Sequence, residues 1–327
     1  MDKLLSIVVP FYEEKEKDIF PLLSSINSQI GINFDLLEVI LVNDGNQNTI
    51  ADSFLELFFN LDIKVLYMQK NKGPGVARQY GLDRVKGQYV MFCDADDILH
   101  NVGVLGTFIQ EIYQNKPDII TSPWLEELQD EDGNILYVSH NLDATWMHGK
   151  VFNTSYLRNY DIRFDDTLRV HEDSYFLGIA FDLTDNKRML QNLVSYVWRW
   201  RKNSITRVNG AEYTFKCIPI FNEAVSKSYH VLERRGRESS LYYKVTQMIM
   251  YTYFTLHQKE WQIQDTYLKE AEKSFCERFK PFISYYLNID QALAENIYKE
   301  ESIKYNGIPT ETLEQWLFRI GLLEEGD

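Results

Sequence analysis

Four apolar runs in the first hundred residues each end in polar, turn-forming residues, and stretches of helical spacing separate them. Ser6–Tyr12, Leu36–Val42, Ile63–Met68 and Gln88–Cys93 are continuous and rich in β-branched and aromatic residues. Between them, Lys15–Gln29 sets Ile19, Leu22, Leu23 and Ile26 at helical spacing. Thr49–Asn60 reads as a second helix and Pro74–Lys86 as a third, with proline near its start. Strands that are apolar throughout and separated by helices predict a parallel sheet covered on both faces. A sheet of this kind binds ligands beyond the carboxyl ends of its strands. Those ends carry Pro10-Phe11-Tyr12, Asn43-Asp44-Gly45, Asn71-Lys72-Gly73 and Asp94-Ala95-Asp96.

The last of these carries the most chemistry. Asp94, Asp96 and Asp97 put three carboxylates within four positions at the end of an apolar strand. Packed anions repel one another, so they call for a cation or a hydrogen-bonding ligand at the strand's mouth. Hard oxygens suit Mg²⁺ or Mn²⁺, which keep some of their waters and share carboxylates with substrate phosphates. A metal that grips a diphosphate is one reading; a solvated acidic turn is the other.

The bulk properties narrow the classes. The 327 residues suffice for one large domain or two ordinary ones, and 45% apolar and 14% aromatic residues supply a sizeable core. A net charge of −14 argues against wrapping nucleic acid, which needs clustered Lys and Arg. Cys93, Cys217 and Cys276 stand far apart without a CxxC, so a reducing cytoplasm is expected rather than a disulfide framework. The N-terminus lacks the look of a signal peptide, and no run of about twenty apolar residues is present to span a membrane.

After Thr121 the pattern shifts to shorter strands and loops, with the turn Asp130-Glu131-Asp132-Gly133-Asn134, a helix beginning near Glu172 and the run Val194–Arg201. After Asn209 the chain reads as almost all helical: Glu212–Arg234, Ser239–Gln258 and Ile263–Phe279 are amphipathic, and Arg234-Arg235-Gly236-Arg237 marks a helix break. We therefore expect an α/β domain over residues 1–209 and a helical region over 210–327. Tyr242, Tyr243, Tyr251, Tyr253 and Trp261 fit either an interface between copies or burial among the region's own helices.

Taken in order and spacing, the motifs resemble the family 2 inverting glycosyltransferases of GT-A fold, over residues 4–207. The marks are Ser6–Tyr12, Val42-Asn43-Asp44-Gly45, Asn71-Lys72-Gly73-Pro74-Gly75-Val76-Ala77-Arg78, Phe92–Asp97 and His171-Glu172-Asp173-Ser174-Tyr175-Phe176. The resemblance implies a UDP-sugar donor, a Mg²⁺ or Mn²⁺ cofactor and a bacterial or phage surface-glycan acceptor, either a glycan or a teichoic-acid-like polyol phosphate.

It also implies roles. Pro10, Phe11 and Tyr12 would surround the uridine, and Asp44 would accept from the uracil N–H. Asn71 and Arg78 would reach the nucleotide or its phosphates, Asp94 the ribose or a metal water, and Asp96 the metal. Asp173 would be the general base, with Glu172 beside it raising its pKa by like-charge coupling. Lys150 and Trp124 would meet the acceptor, and Arg199, Arg201, Lys202 and Ser204 would close on the diphosphate. Two departures stand out: Asn43 occupies a position where the family usually has Asp, and no histidine falls between His171 and His230 to serve the closing loop. From the residues alone, Arg78 fits a surface helix position equally well, Lys150 a structural salt bridge, and Glu172-Asp173 a helix N-terminus.

Other readings weigh less. A haloacid-dehalogenase-type phosphatase would carry the Asp-x-Asp on its first strand and Thr or Val two residues later; here it lies on the fourth, with Ile98 at that place. A nucleotide-sugar-binding module without catalysis would have no need of Asp96 and Asp173. The residues predict a cytoplasmic protein without a transmembrane segment, open to self-association through its tail aromatics; the surface-glycan resemblance adds work near the inner face of the membrane, although the tail shows no excess of Lys and Arg to bind it electrostatically.

Overall fold

The computed structural model describes residues 3–141, 143–201, 210–305 and 309–324. The chain divides into two compact units, Met1–Lys202 and Asn203–Asp327.

In the first unit the apolar runs become strands at nearly their expected bounds: β1 (Leu5–Phe11), β2 (Leu37–Asn43), β3 (Ile63–Tyr67) and β4 (Tyr89–Phe92). Seven more follow: β5 (Ile98–Leu99), β6 (Ile119–Thr121), β7 (Trp124–Gln129), β8 (Ile135–His140), β9 (Lys150–Asn153), β10 (Lys187–Met189) and β11 (Tyr196–Trp198). The helices are α1 (Glu16–Asn27), α2 (Asp52–Leu55), α3 (Pro74–Leu82), α4 (Val104–Asn115), α5 (Thr154–Asn159) and α6 (Glu172–Ala180).

The main sheet runs β10-β6-β9-β4-β1-β2-β3. β1 pairs in parallel with β2 and β4, and β2 with β3. β9 alone runs antiparallel, between β4 and β6. A smaller sheet runs β5-β11-β7-β8. β1, β2 and β4 are buried along their whole length, as strands covered on both faces must be. α1 buries Ile19, Leu22, Leu23 and Ile26, the four residues at helical spacing. Full burial of each such side chain contributes about 1.5–3 kcal/mol.

α3 lies so close to the sheet that a Cβ on Gly81 would stand 2.5 Å from Val8 Cγ1 and 3.2 Å from Val42 Cγ2. One turn earlier on the same buried face comes Arg78. Glycine at the contact thus sets how deep the arginine sits. The expected helix over Thr49–Asn60 is cut to α2. Asn60 instead donates from its backbone and side chain to Asn27 at 3.2 Å, which holds the chain in a turn before β3.

The second unit is all helical: α7 (Gly210–Arg234), α8 (Glu238–Leu256), α9 (Lys259–Gln262), α10 (Asp265–Phe279), α11 (Ile283–Leu287), α12 (Gln291–Ser302) and α13 (Leu313–Arg319). The break after α7 falls at Gly236, whose φ of +70° favours glycine. Tyr253 and Trp261 are buried among the helices, as the second expectation has it, whereas Tyr242 and Tyr243 are exposed. No helix among the described residues is long and apolar enough to cross a membrane.

Candidate active site

The strand ends meet on one rim. Because β9 is antiparallel, its first residue, Lys150, pairs with Thr121 at the end of β6. Phe11 pairs with Asn43 at the ends of β1 and β2.

At the β2 end the loops are stitched together by side chains. Asp44 accepts backbone N–H bonds from Lys72 at 2.9 Å and Gly73 at 2.8 Å. Burial raises its pKa against the pull of those two donors. Asn43 is buried, accepting from the Asn46 N–H at 2.7 Å and donating to the Asn48 carbonyl at 2.8 Å. An amide, which donates as well as accepts, suits that place better than a carboxylate. Of the neighbouring trio, Pro10 and Phe11 are buried and only Tyr12 is exposed. Asn71 faces Arg169, whose guanidinium lies 3.5 Å from its side-chain oxygen.

The three carboxylates after β4 resolve their repulsion in three ways. Asp94 meets the Arg78 guanidinium at 2.6 Å; burial opposes its charge, but Arg78 holds its pKa below the ordinary value. Asp96 lies 2.5 Å from Arg201, which also reaches Glu14 at 3.3 Å. Burial and nearby Asp94 push Asp96 upward against that arginine. Asp97 is fully buried, accepting from the Tyr196 hydroxyl at 2.7 Å and the Arg199 N–H at 2.9 Å. Burial and the two neighbouring carboxylates push it well above the usual carboxylate range. It therefore holds the turn, while Asp94 and Asp96 keep edges toward solvent.

Asp94, Asp97 and His148 each bring one ligand-type atom within 4.8 Å of the others. His148 is buried and stacked 4.8 Å from Tyr196, and burial lowers its pKa to about 4. For a hard divalent ion the better-suited donor is the partly exposed Asp96 carboxylate, whose present partner is a single arginine.

Glu172 and Asp173 open α6 beside this cluster. Arg78 lies 2.7 Å from Glu172 as well as from Asp94 at 2.6 Å. Its two terminal nitrogens thus pair with carboxylates in the interior, which corrects the surface reading and speaks against the expected direct contact with phosphate. Asp173 accepts the Ser174 N–H at 2.8 Å. Burial, then Glu172, raise its pKa to about 7. A carboxylate that titrates near neutrality beside Arg78 is suited to take a proton from a neutral nucleophile.

Lys150 and Trp124 also need correction. The Lys150 ammonium is buried and spends its protons on Asp143 at 3.1 Å, Trp146 O at 2.6 Å and His148 O at 3.2 Å. Trp124 is 1% exposed, stacked 3.9 Å from His140, and donates to Asp143. Both hold the wall of the site rather than line its mouth. The half-buried pair Trp146 and Trp198, with ring centres 5.1 Å apart, lies outside them. Lys202 and Ser204 lie outside the described residues. Sequence reasoning missed Glu14, Arg169 and Tyr196. Glu14 follows a rim motif and was open to notice; the other two are brought in only by the folded chain.

Residues 6–167 match the family model for Glycosyl transferase family 2. Over 261 residues the chain is 26% identical to the glycosyltransferase GlyA of Streptococcus pneumoniae, covering 72% of this chain and 36% of GlyA. It is 27% identical over 255 residues to EpsJ of Bacillus subtilis, an uncharacterized glycosyltransferase, covering 70% of this chain and 68% of EpsJ. Among solved structures, S. aureus TarS 1-349 superposes with a TM-score of 0.56 at 16% identity, over 92% of this chain and 90% of that one. The same protein in complex with UDP-GlcNAc gives 0.54 at 17%, over 93% of each chain. With the parallel sheet, the rim motifs and these relatives in agreement, the chain carries a family 2 glycosyltransferase domain of GT-A fold.

Proposed function

We propose that the protein moves a sugar from a UDP-sugar to a hydroxyl of a glycan or polyol-phosphate acceptor, inverting the anomeric configuration. One observation carries the reading: Asp173, with its pKa raised to about 7, stands beside Glu172, Arg78 and the Asp94 carboxylate of the strand-end rim. In this reading Asp173 takes the acceptor proton as the oxygen attacks the anomeric carbon from the face opposite the nucleotide. Tyr12, Asp44 and Asn71 hold the uridine, and Asp94 the ribose. Arg199 and Arg201 serve the diphosphate. Asp96 would hold Mg²⁺ or Mn²⁺, which when bound neutralises the departing diphosphate. The likeness to a structure in complex with UDP-GlcNAc supports the choice of a uridine nucleotide. The acceptor class rests on the motif resemblance to surface-glycan enzymes.

In the same proposal residues 1–209 form the catalytic domain, and 210–327 bind the acceptor or join copies of the chain. The exposed Tyr242 and Tyr243 support that role for the helical region. The protein would work in the cytoplasm, near the inner face of the membrane.

The test is UDP release from a panel of UDP-sugars and GDP-mannose, with acceptor glycans, in Mn²⁺ and in EDTA. Release from one UDP-sugar that needs Mn²⁺ is expected. Preference for GDP-mannose would remove the uridine assignment, and full rate in EDTA would remove the metal.

A further inference from the structure

The buried centre of the first unit is an ionic chain that joins the nucleotide rim to the helix carrying Asp173. Arg78 is 6% exposed, and its two terminal nitrogens serve different carboxylates. One donates to Asp94 at 2.6 Å, after β4, and the other to Glu172 at 2.7 Å, the first residue of α6. Its Nε is buried with no partner. Two carboxylates from elements far apart in sequence thus share one planar cation, a geometry that a guanidinium supplies and an ammonium does not.

A second, uncharged observation points the same way. A Cβ on Gly75 would stand 2.7 Å from Glu172 Cγ and 2.8 Å from its Cβ. The first turn of α3 therefore touches the first turn of α6 through a gap that only glycine leaves. Steric contact and ion pair fix the same residue, Glu172, from the same helix.

We propose that Arg78 is a positioning residue: with Gly75 beneath it, it clamps Glu172 and so sets where Asp173 stands relative to the donor held near Asp94. The proposal rests on the reading of Asp173 as the base. It differs from a direct phosphate contact, because both terminal nitrogens of Arg78 face carboxylates. The charged groups around Asp173 are Glu172 on its own helix, Arg78 from α3, Asp94 after β4 and Lys150 from β9. Removing Glu172's charge takes away a like charge beside Asp173. Weakening the Arg78 clamp takes away an opposite one.

The experiment measures kcat against pH, UDP affinity by calorimetry and Tm for Arg78→Lys, Glu172→Gln, Gly75→Ala and Asp173→Asn. Gly75→Ala adds one methyl and no charge, so it keeps the test open should a charge variant fail to fold. A misplaced base loses about a hundredfold in rate. We expect losses of that order in Arg78→Lys and Gly75→Ala, with UDP affinity close to that of the unaltered chain in Gly75→Ala, which leaves the Arg78–Asp94 pair untouched. The acid limb of the profile should move to lower pH in Glu172→Gln and to higher pH in Arg78→Lys. Wild-type turnover in Gly75→Ala and Arg78→Lys, with Asp173→Asn inactive, would overturn the clamp and leave the base standing. Losses of rate that track losses of Tm and UDP affinity, with unmoved pH limbs, would also overturn it. An active Asp173→Asn would overturn the base assignment itself, and the clamp with it.

Discussion

Asp173 shows how burial tunes one side chain in two directions at once. Its pKa is raised to about 7 by burial first and by Glu172 second. In its proposed role as general base, the expected consequence is a rate that climbs with pH through neutrality, because only the ionised form accepts a proton. Asp173→Asn keeps the size and removes the acceptor, so it should lower kcat about a hundred- to ten-thousand-fold. Single-turnover rates across pH 5 to 9 check both statements (about two units either side of the inflection). For stability the sign is opposite. An acid whose pKa is higher in the folded chain than in the unfolded one binds more protons when folded, so ionisation disfavours the fold. The cost is absent below the unfolded value, grows as pH rises from there toward about 7, and levels off above it. Asp173→Asn should therefore raise Tm at alkaline pH and leave it nearly unchanged in acid. Thermal melts at both ends of the range would show it, and a variant that lost stability at alkaline pH would contradict the raised pKa.

Among the elements, the loops after the strands do the work, and Gly45 is the clearest case. It follows Asp44 with a φ of +78°, and a Cβ there would stand 2.1 Å from the Lys70 carbonyl carbon. The loop after β2 and the loop before α3 touch through this glycine and are tied by Asp44's bonds to Lys72 and Gly73. Left-handed backbone alone costs a non-glycine residue about 1–3 kcal/mol, before the clash is counted. Gly45→Ala should lower Tm and weaken UDP binding together, because the two loops it would push apart carry Asp44 and Asn71. Unchanged calorimetry with UDP would show that this loop does not hold the nucleotide. The same elements explain what could be read in advance. Strands β1 to β4 and the rim motifs are local patterns, and each stood in the sequence near its final bounds. The antiparallel insertion of β9 could not be read, since its register is set by pairing across distant segments. Nor could the partners of the acids. Arg78 and Glu172 lie 94 residues apart, and Arg201 and Asp96 lie 105 apart. The resemblance therefore marked Lys150, Trp124 and Arg78 as residues of interest without telling wall from mouth.

For the whole molecule the question is how much of the chain the site needs. A net charge of −14 gives the molecule as a whole no attraction for a nucleotide diphosphate. Binding must come from a local concentration of cations and N–H groups. In the proposed reading Arg169, Arg199 and Arg201 with the loops after β1 and β2 would supply it, and all of them lie in the unit Met1–Lys202. That unit also contains the core cluster built on β1, β2 and β4, so its stability draws on its own apolar burial. A fragment of residues 1–209 should therefore unfold cooperatively and bind UDP within about tenfold of the full chain, a difference of at most about 1.4 kcal/mol. Sugar transfer to a polymeric acceptor should fall much further in the fragment if residues 210–327 hold that acceptor. The two readouts separate the roles. A fragment that folds and binds UDP but transfers at the full rate would deny the helical region any part in acceptor binding. A fragment that folds but does not bind UDP would mean that residues beyond 209 complete the nucleotide site.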